Sequence, residues 1–153
     1  MLKNTRALKR NLKMSTYQRF SEITKHIELA EKFLAEGREL IDKDPVQASE
    51  KLYKAAEEAV KALAKLFNLP QVEEAEKIGR WRADLLYNAV TALSTKLSEE
   101  IRSWWRTAWF FHVEGFHEAR LESTHIAADY EDVENLVNLA KKTIQEFLRR
   151  GQR

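Results

Sequence analysis

The sequence predicts an all-α fold, an up-and-down bundle of about five helices built from antiparallel hairpins. Three observations carry that prediction. Only four glycines and two prolines interrupt 153 residues, so helix breakers are scarce. The composition, 44% hydrophobic and 33% charged, is rich in residues that lose little on entering a helix. Apolar residues also recur at three- and four-residue spacing through long windows, which marks helices with one buried face. A chain of this length is expected to form one domain with a sizeable core.

Residues 1–17 read as a basic, disordered arm, and residues 18–150 as a single helical domain. Lys3, Arg6, Lys9, Arg10, Lys13 and Arg19 all precede the first acid, Glu22, which leaves 20 basic against 24 acidic residues in the rest. Such an arm could touch nucleic acid through phosphate contacts. The plainer alternative is an extension ahead of Met14, where MSTYQRF would make a sensible start.

The first helix carries Ile23, Ile27, Ala30, Phe33, Leu34, Gly37, Leu40 and Ile41 on one stripe. It stops at DKDP, because Pro45 disfavours a helical Asp44 and suits the first turn of the next helix. The second helix is expected to bury Ala48, Leu52, Ala55, Ala59, Leu63, Leu66 and Phe67. So short a connection makes the pair an antiparallel hairpin. Residues 68–79, NLPQVEEAEKIG, form the longest irregular candidate, with one short helical piece before Gly79. The third helix spans about Trp81 to Leu97, with Trp81, Leu85, Ala89, Leu93 and Leu97 aligned. The fourth starts near Ser98, an N-cap followed by favourably placed Glu99 and Glu100, and extends to about Leu121. The last covers about Tyr130 to Arg149, turning Tyr130, Val133, Val137, Ala140, Ile144 and Phe147 inward. The first hairpin has tetratricopeptide-like spacing, but no second copy follows, which argues against a solenoid.

Several classes of function fall away. The absence of cysteine excludes disulfides, thiolate zinc sites and cysteine nucleophiles. No apolar stretch approaches the length of a membrane span, and nothing reads as an export signal, so the expected location is the cytoplasm. No cofactor is expected.

The fourth helix stands out. Ile101, Trp105, Ala108, Trp109, His112, Phe116 and Ala119 form its stripe, while Trp104, Phe110, Phe111 and Val113 add apolar surface outside it. A helix apolar almost all round is central in a bundle or half inside an oligomer interface. A homodimer through Trp105, Trp109 and Phe116 is the economical reading. Gly115 costs about 1 kcal/mol relative to alanine in mid-helix, so it points to close approach by another helix.

DPVQASEKLYKAAEEAVKALA, then GRW, then WFFHVEGFHEARLE together resemble the archaeal PaREP family, which is grouped with the HEPN superfamily of helical bundles. The resemblance covers roughly residues 25–148, and HVEGFHE at 112–118 is its most specific element. It implies a bundle that commonly dimerises, with RNA or nucleotides as the ligand class. For many HEPN relatives it also implies metal-independent RNA cleavage by an arginine and a histidine with four to six residues between them, close to a dimer interface. Carried over, that motif falls on Arg106 and His112, with Thr107 where active relatives often have Asn, Asp or His.

Histidine suits the removal of a 2′-hydroxyl proton, and arginine suits the charge developing on a phosphate. On one α-helix, however, residues six apart point about 120° away from each other and sit about 9 Å apart along the axis. Two copies of the helix crossing at a two-fold could bring Arg106 of one chain towards His112 of the other. The rival reading of His112 is a hydrogen-bonded core residue on the aromatic stripe, and of Arg106 a solvated or ion-paired arginine. The three tryptophans at helical spacing read as core or interface before they read as base-stacking platforms.

His117, Glu114 and Glu118 are secondary site candidates. Arg106 and His117, eleven apart, lie nearly on one α-helical face. Glu114 and Glu118 repel at four-residue spacing, so each is expected to have its own lysine or arginine on a neighbouring helix. Glu114–His117 and Glu122–His125 are Glu-x-x-His pairs as in di-iron bundles, yet they occupy neighbouring turns, so no metal site is expected. His26 reads as part of a solvated face.

Overall fold

The computed structural model describes residues 15–151. Six α-helices follow one another: α1 (Thr16–Leu40), α2 (Pro45–Leu66), α3 (Pro70–Ile78), α4 (Ala83–Lys96), α5 (Glu100–Phe110) and α6 (Ser123–Gly151). Helix α5 runs on without a break into a π-helical segment, Phe111–His117. Among the described residues there is no strand. The all-α expectation therefore holds, with six α-helices among the described residues where about five were expected.

Helix α1 opens at a capping box. Ser15 Oγ accepts the Gln18 N–H while Gln18 Oε1 accepts the Ser15 N–H. Thr16 and Tyr17, assigned to the arm, are thus helical, whereas Lys3 to Lys13 lie outside the described residues. Arg19, counted with the arm, donates from its guanidinium to the carbonyls of Lys65 and Leu66. It satisfies orphan acceptors at the C-terminus of α2 and places positive charge at that helix's negative end.

Helix α2 begins as DKDP foretold, with Pro45 at the first helical position and Asp44 Oδ1 accepting the Gln47 N–H. It packs on α1, α3, α4, α5, α6 and the π segment. Ala48, Ala55, Ala56, Ala59, Ala62 and Ala64 on α2 are all fully buried, and their short side chains let neighbours come close from several directions. The centre of the bundle is therefore α2, not the aromatic-rich fourth helix. Alanine adds so little apolar area per residue that a central helix made of it looks only moderately hydrophobic in sequence. Beside this core, His26 Nδ1 bonds Glu58 Oε2 between α1 and α2, so His26 belongs to a helix-helix contact and not to a solvated face.

Residues 68–79 are largely helical as α3, because Pro70 occupies a first-turn position and does not break the chain. Gly79, at φ 86°, closes α3 in the left-handed conformation. Ser98 Oγ does accept the Glu100 N–H, but the helical cap position is Glu99. The fourth helical run ends at His117, short of Leu121, and α6 begins at Ser123, ahead of Tyr130. The extra turns of α6 bury Ile126. No helix is long and apolar enough to cross a membrane among the described residues.

Candidate functional site

The site is built where the π segment meets the first half of α2. Gly115 is buried there, and a Cβ added to it would stand 2.5 Å from Ser49 Cβ. Ser49 is itself fixed, since its hydroxyl donates to the Pro45 carbonyl at 2.8 Å. The close helical approach inferred from Gly115 is therefore present, and the neighbour is α2.

The widened turn has a second consequence. In a π-helix, hydrogen bonds run between residues five apart and place such residues on one face. In an α-helix the same two residues would point about 140° away from each other. His112 and His117 are five apart, and their Nε2 atoms lie 3.1 Å from one another.

His112 is held on its other side by α2. Its Nδ1 stands 3.1 Å from Glu50 Oε2, and the two side chains are only 20% and 14% exposed. A carboxylate accepts, so the network assigns the His112 proton to Nδ1 and leaves an Nε2 lone pair that accepts from His117 Nε2–H. The His112 ring stacks on Tyr53 with centroids 4.0 Å apart, and Trp109 flanks it at 5.3 Å. Burial, followed by the charges of Glu57 and Glu50, pushes the Tyr53 phenol well above its ordinary value of 10. Tyr53 thus stays protonated beside the imidazole as a neutral aromatic platform.

The hydrogen-bonded reading of His112 is what the structure shows, although the ring is half-buried and not enclosed in the core. Its partners Glu50 and Tyr53 went unrecognised in the sequence. They sit three apart on α2, hence on one face, and nothing in one chain's spacing ties them to residues more than fifty positions away.

Arg106 is elsewhere. It lines a groove of about 670 Å³ whose walls include Tyr87 from α4 and Trp105, Trp109, Phe110 and Val113 from the fourth helical run. Asp84 and Glu114 are the other charged residues of the groove. Both Asp84 carboxylate oxygens accept from Arg82 at 3.0 Å, and that hydrogen bonding holds the acid below its ordinary range. Within one chain Arg106 and His112 are therefore not brought together: one faces α4, the other faces α2, and Trp109 touches both places. Nor does Arg106 share a face with His117, because the π turn shifts everything beyond Phe110. Trp105 is 3% exposed and belongs to the core of the single chain, whereas Trp109 and Phe110 remain 38% and 44% exposed. Thr107 Oγ1 donates to Asp132 on α6 and ties the two helices together.

Glu114 and Glu118 do not have separate partners on a neighbouring helix. Both face Arg120, at 4.0 Å and 3.3 Å. Ala119 adopts φ 53°, which folds the chain back so that the Arg120 N–H donates to the Glu114 carbonyl at 2.8 Å. The second Glu-x-x-His pair is a cap: the Glu122 N–H donates to His125 Nδ1 at the start of α6. Among the described residues, no three His, Asp or Glu side chains converge as a metal-binding group.

The archaeal PaREP1/PaREP8 family model matches residues 25–137, and the chain belongs to that family. It is also similar to a Sulfolobus solfataricus protein known from a crystal structure, with 40% identity and a TM-score of 0.70 over 76% of this chain and 96% of that one. A solution structure of the same structural-genomics target shares 39% identity and a TM-score of 0.67, covering 76% of this chain and 92% of the other. No curated protein matches.

Proposed function

We propose that this protein is a HEPN-like RNA-handling protein that cleaves RNA without a metal, at a site composed from two copies of the chain. The observation that carries the reading is His112 itself. One ring nitrogen is bound by Glu50 and the other meets His117, which is exposed. A carboxylate behind an imidazole fixes its tautomer and stabilises the imidazolium that forms when it takes a proton. His117 connects that inner histidine to solvent. A 2′-hydroxyl proton removed here would free its oxygen to attack the adjacent phosphorus; as the bond to the 5′-oxygen breaks, that oxygen would take back a proton from the imidazolium so formed, through His117, and the site would end as it began.

The negative charge built on the phosphate needs a cation, and the guanidinium of Arg106 suits it. Arg106 of the same chain lies across Trp109, so the reading takes it from a second copy packed through the exposed Trp109 and Phe110 side of the fourth helical run. In a two-fold assembly each chain then completes the other's site.

The test exploits that geometry. Parent, Arg106→Ala and His112→Ala are incubated with single-stranded RNA, separately and as an equimolar mixture. Each variant should lose at least about a hundredfold in rate. Random re-pairing makes half the dimers mixed, each with one intact site of two, so the mixture should recover about a quarter of the parental rate. Cleavage by the single variants at the parental rate, or none by the parent, would defeat the enzyme reading. Failure of the mixture to recover would defeat the composite site.

A second reading, a non-enzymatic dimerisation or partner-binding bundle, is favoured by the groove, where Tyr87, Trp109 and Phe110 present an apolar wall to solvent. It predicts a dimer or a complex by light scattering with no RNA turnover, and a strictly monomeric parent would count against both readings.

A further inference from the structure

The two histidines carry a second implication, which does not depend on the RNA reading. We propose that His112 and His117 form a chelate for one divalent transition-metal ion of the imidazole-preferring class, Zn²⁺ through Ni²⁺ and Cu²⁺, with Glu50 as the group that orients the inner ligand.

Two nitrogens that are each about 2.0–2.1 Å from a common ion and 3.1 Å apart subtend an angle of about 100° at that ion. This lies between the cis angle of an octahedral or square-planar ion and the angle of a tetrahedral one, so small ring rotations would suit either. The ring centroids are 4.4 Å apart and the rings are inclined at 81°. A straight hydrogen bond between two ring nitrogens would add about one ring radius at each end, roughly 2 Å in all. The centroid separation exceeds the nitrogen separation by less than that, so the rings meet at an angle, and a modest turn of the exposed His117 ring would aim both Nε2 lone pairs at one ion.

The surroundings supply what a histidine ligand requires. Metal-binding histidines donate their other ring N–H to a carboxylate or carbonyl, which fixes the tautomer and raises the basicity of the ligating nitrogen. His112 Nδ1 already has that partner in Glu50, 3.1 Å away. Stacking on Tyr53 at 4.0 Å limits ring rotation. The outer ligand is exposed, so an ion can enter from solvent; His117 binds it once its proton has moved from Nε2 to Nδ1, and water completes the coordination. With only two protein ligands, the affinity belongs in the micromolar range of an exchangeable site, not that of a structural zinc. The π turn is the cause of the arrangement, because the same two histidines on an α-helix would diverge.

Occupancy would also have a consequence for the site. The ion would take the Nε2 lone pair of His112, the same atom that accepts a proton in the cleavage reading, so metal and proton transfer exclude one another there.

The experiment uses the full chain, stripped of metal, without RNA, so its outcome is separate from that of the cleavage assay. Zn²⁺ and Ni²⁺ are titrated in by calorimetry. One ion should bind per chain. His112→Ala and His117→Ala should each weaken binding at least tenfold, and Glu50→Gln should weaken it about 10–100-fold. His125→Ala should leave it unchanged. Far-UV circular dichroism confirms that each variant is folded, and His117→Ala, altering an exposed side chain, provides the decisive comparison. Absence of saturable binding by the parent, parental affinity in His117→Ala, or an equal loss in His125→Ala would overturn the proposal.

Discussion

Replacing Gly115 by alanine is the most direct test of how the π segment is seated on α2. Helix propensity alone predicts that the change stabilises by about 1 kcal/mol, since glycine in a helix interior is costly. The packing predicts the reverse. The new methyl carbon would stand 2.5 Å from Ser49 Cβ, well inside the 3.5–4.0 Å of ordinary carbon contact. Ser49 Cβ is attached directly to the α2 backbone, so no rotamer change moves it. Turning its hydroxyl aside would relieve the oxygen alone, at the expense of its 2.8 Å bond to Pro45, worth about 0.5–1.5 kcal/mol. The helices must separate instead; overpacking costs about 1–3 kcal/mol, occasionally more, and a contact this short against a backbone-anchored carbon belongs at the upper end, about 2–3 kcal/mol. The favourable propensity offsets only part of that. Net destabilisation of about 1–2 kcal/mol is expected, a fall in Tm of a few degrees at roughly 2–4 °C per kcal/mol. Ser49→Gly removes both clashing atoms and costs about 1 kcal/mol by itself. In Gly115→Ala/Ser49→Gly the loss should be smaller than the sum of the two single losses by at least about 1 kcal/mol, the coupling of groups in contact. Urea unfolding of the four proteins, followed by tryptophan fluorescence, measures that cycle. A Gly115→Ala protein as stable as the parent, or strictly additive losses, would refute the seating.

Two further outcomes follow from local chemistry. Burial would raise the Glu58 acid, but the His26 hydrogen bond and the charges of Lys61, His26 and Lys65 outweigh it and leave the group below its ordinary 4.5. The unfolded chain then binds the extra proton as pH falls through 4.5, so this contribution is complete above that pH and is lost towards the lower folded value. Glu58→Gln should accordingly flatten the decline of urea stability below pH 4.5 relative to the parent, and an unchanged slope would contradict the coupling. At Ala119, φ is 53°, a conformation costing a residue with a Cβ roughly 1–2 kcal/mol. Ala119→Gly should match or exceed the parent in stability, by up to about 1 kcal/mol once glycine's entropy is counted. Ala119→Val, β-branched, should fall below the parent, and the opposite order in thermal melts would show that the turn is relaxed.

The parts of the fold that were legible in sequence are those that local chemistry decides. The stripe from Ile23 to Ile41, the break at DKDP with Pro45 opening the next helix, and the alignment of Leu85, Ala89 and Leu93 depend on neighbours three or four residues apart, and each is present. The parts misread were those in which a residue's role depended on its position within an element. Residues 68–79 read as mostly irregular, yet Pro70 begins a helix that runs to Ile78. Ala48, Ala55 and Ala59 face inward as expected, but that α2 and not the fourth helical run is the centre depends on packing between distant segments. Ala119 looked like part of a helical stripe and is the turn that follows it. In the site, His112, His117 and Gly115 were singled out by sequence, but Glu50, Tyr53 and Ser49 were not, since they join it across more than fifty residues.

By itself, then, the sequence determined an all-α chain of the PaREP1/PaREP8 family and the segment around HVEGFHE as its chemically distinctive part, because helix formation and side-chain type are local properties. Tertiary structure alone decided that Arg106 and His112 face different neighbours, and that His112 meets His117 instead. That choice follows from the local helix geometry. Where Gly115 lies against Ser49 the fourth helical run widens by a residue per turn, five-residue spacing replaces four-residue spacing as the measure of a shared face, and the two imidazoles are brought within 3.1 Å.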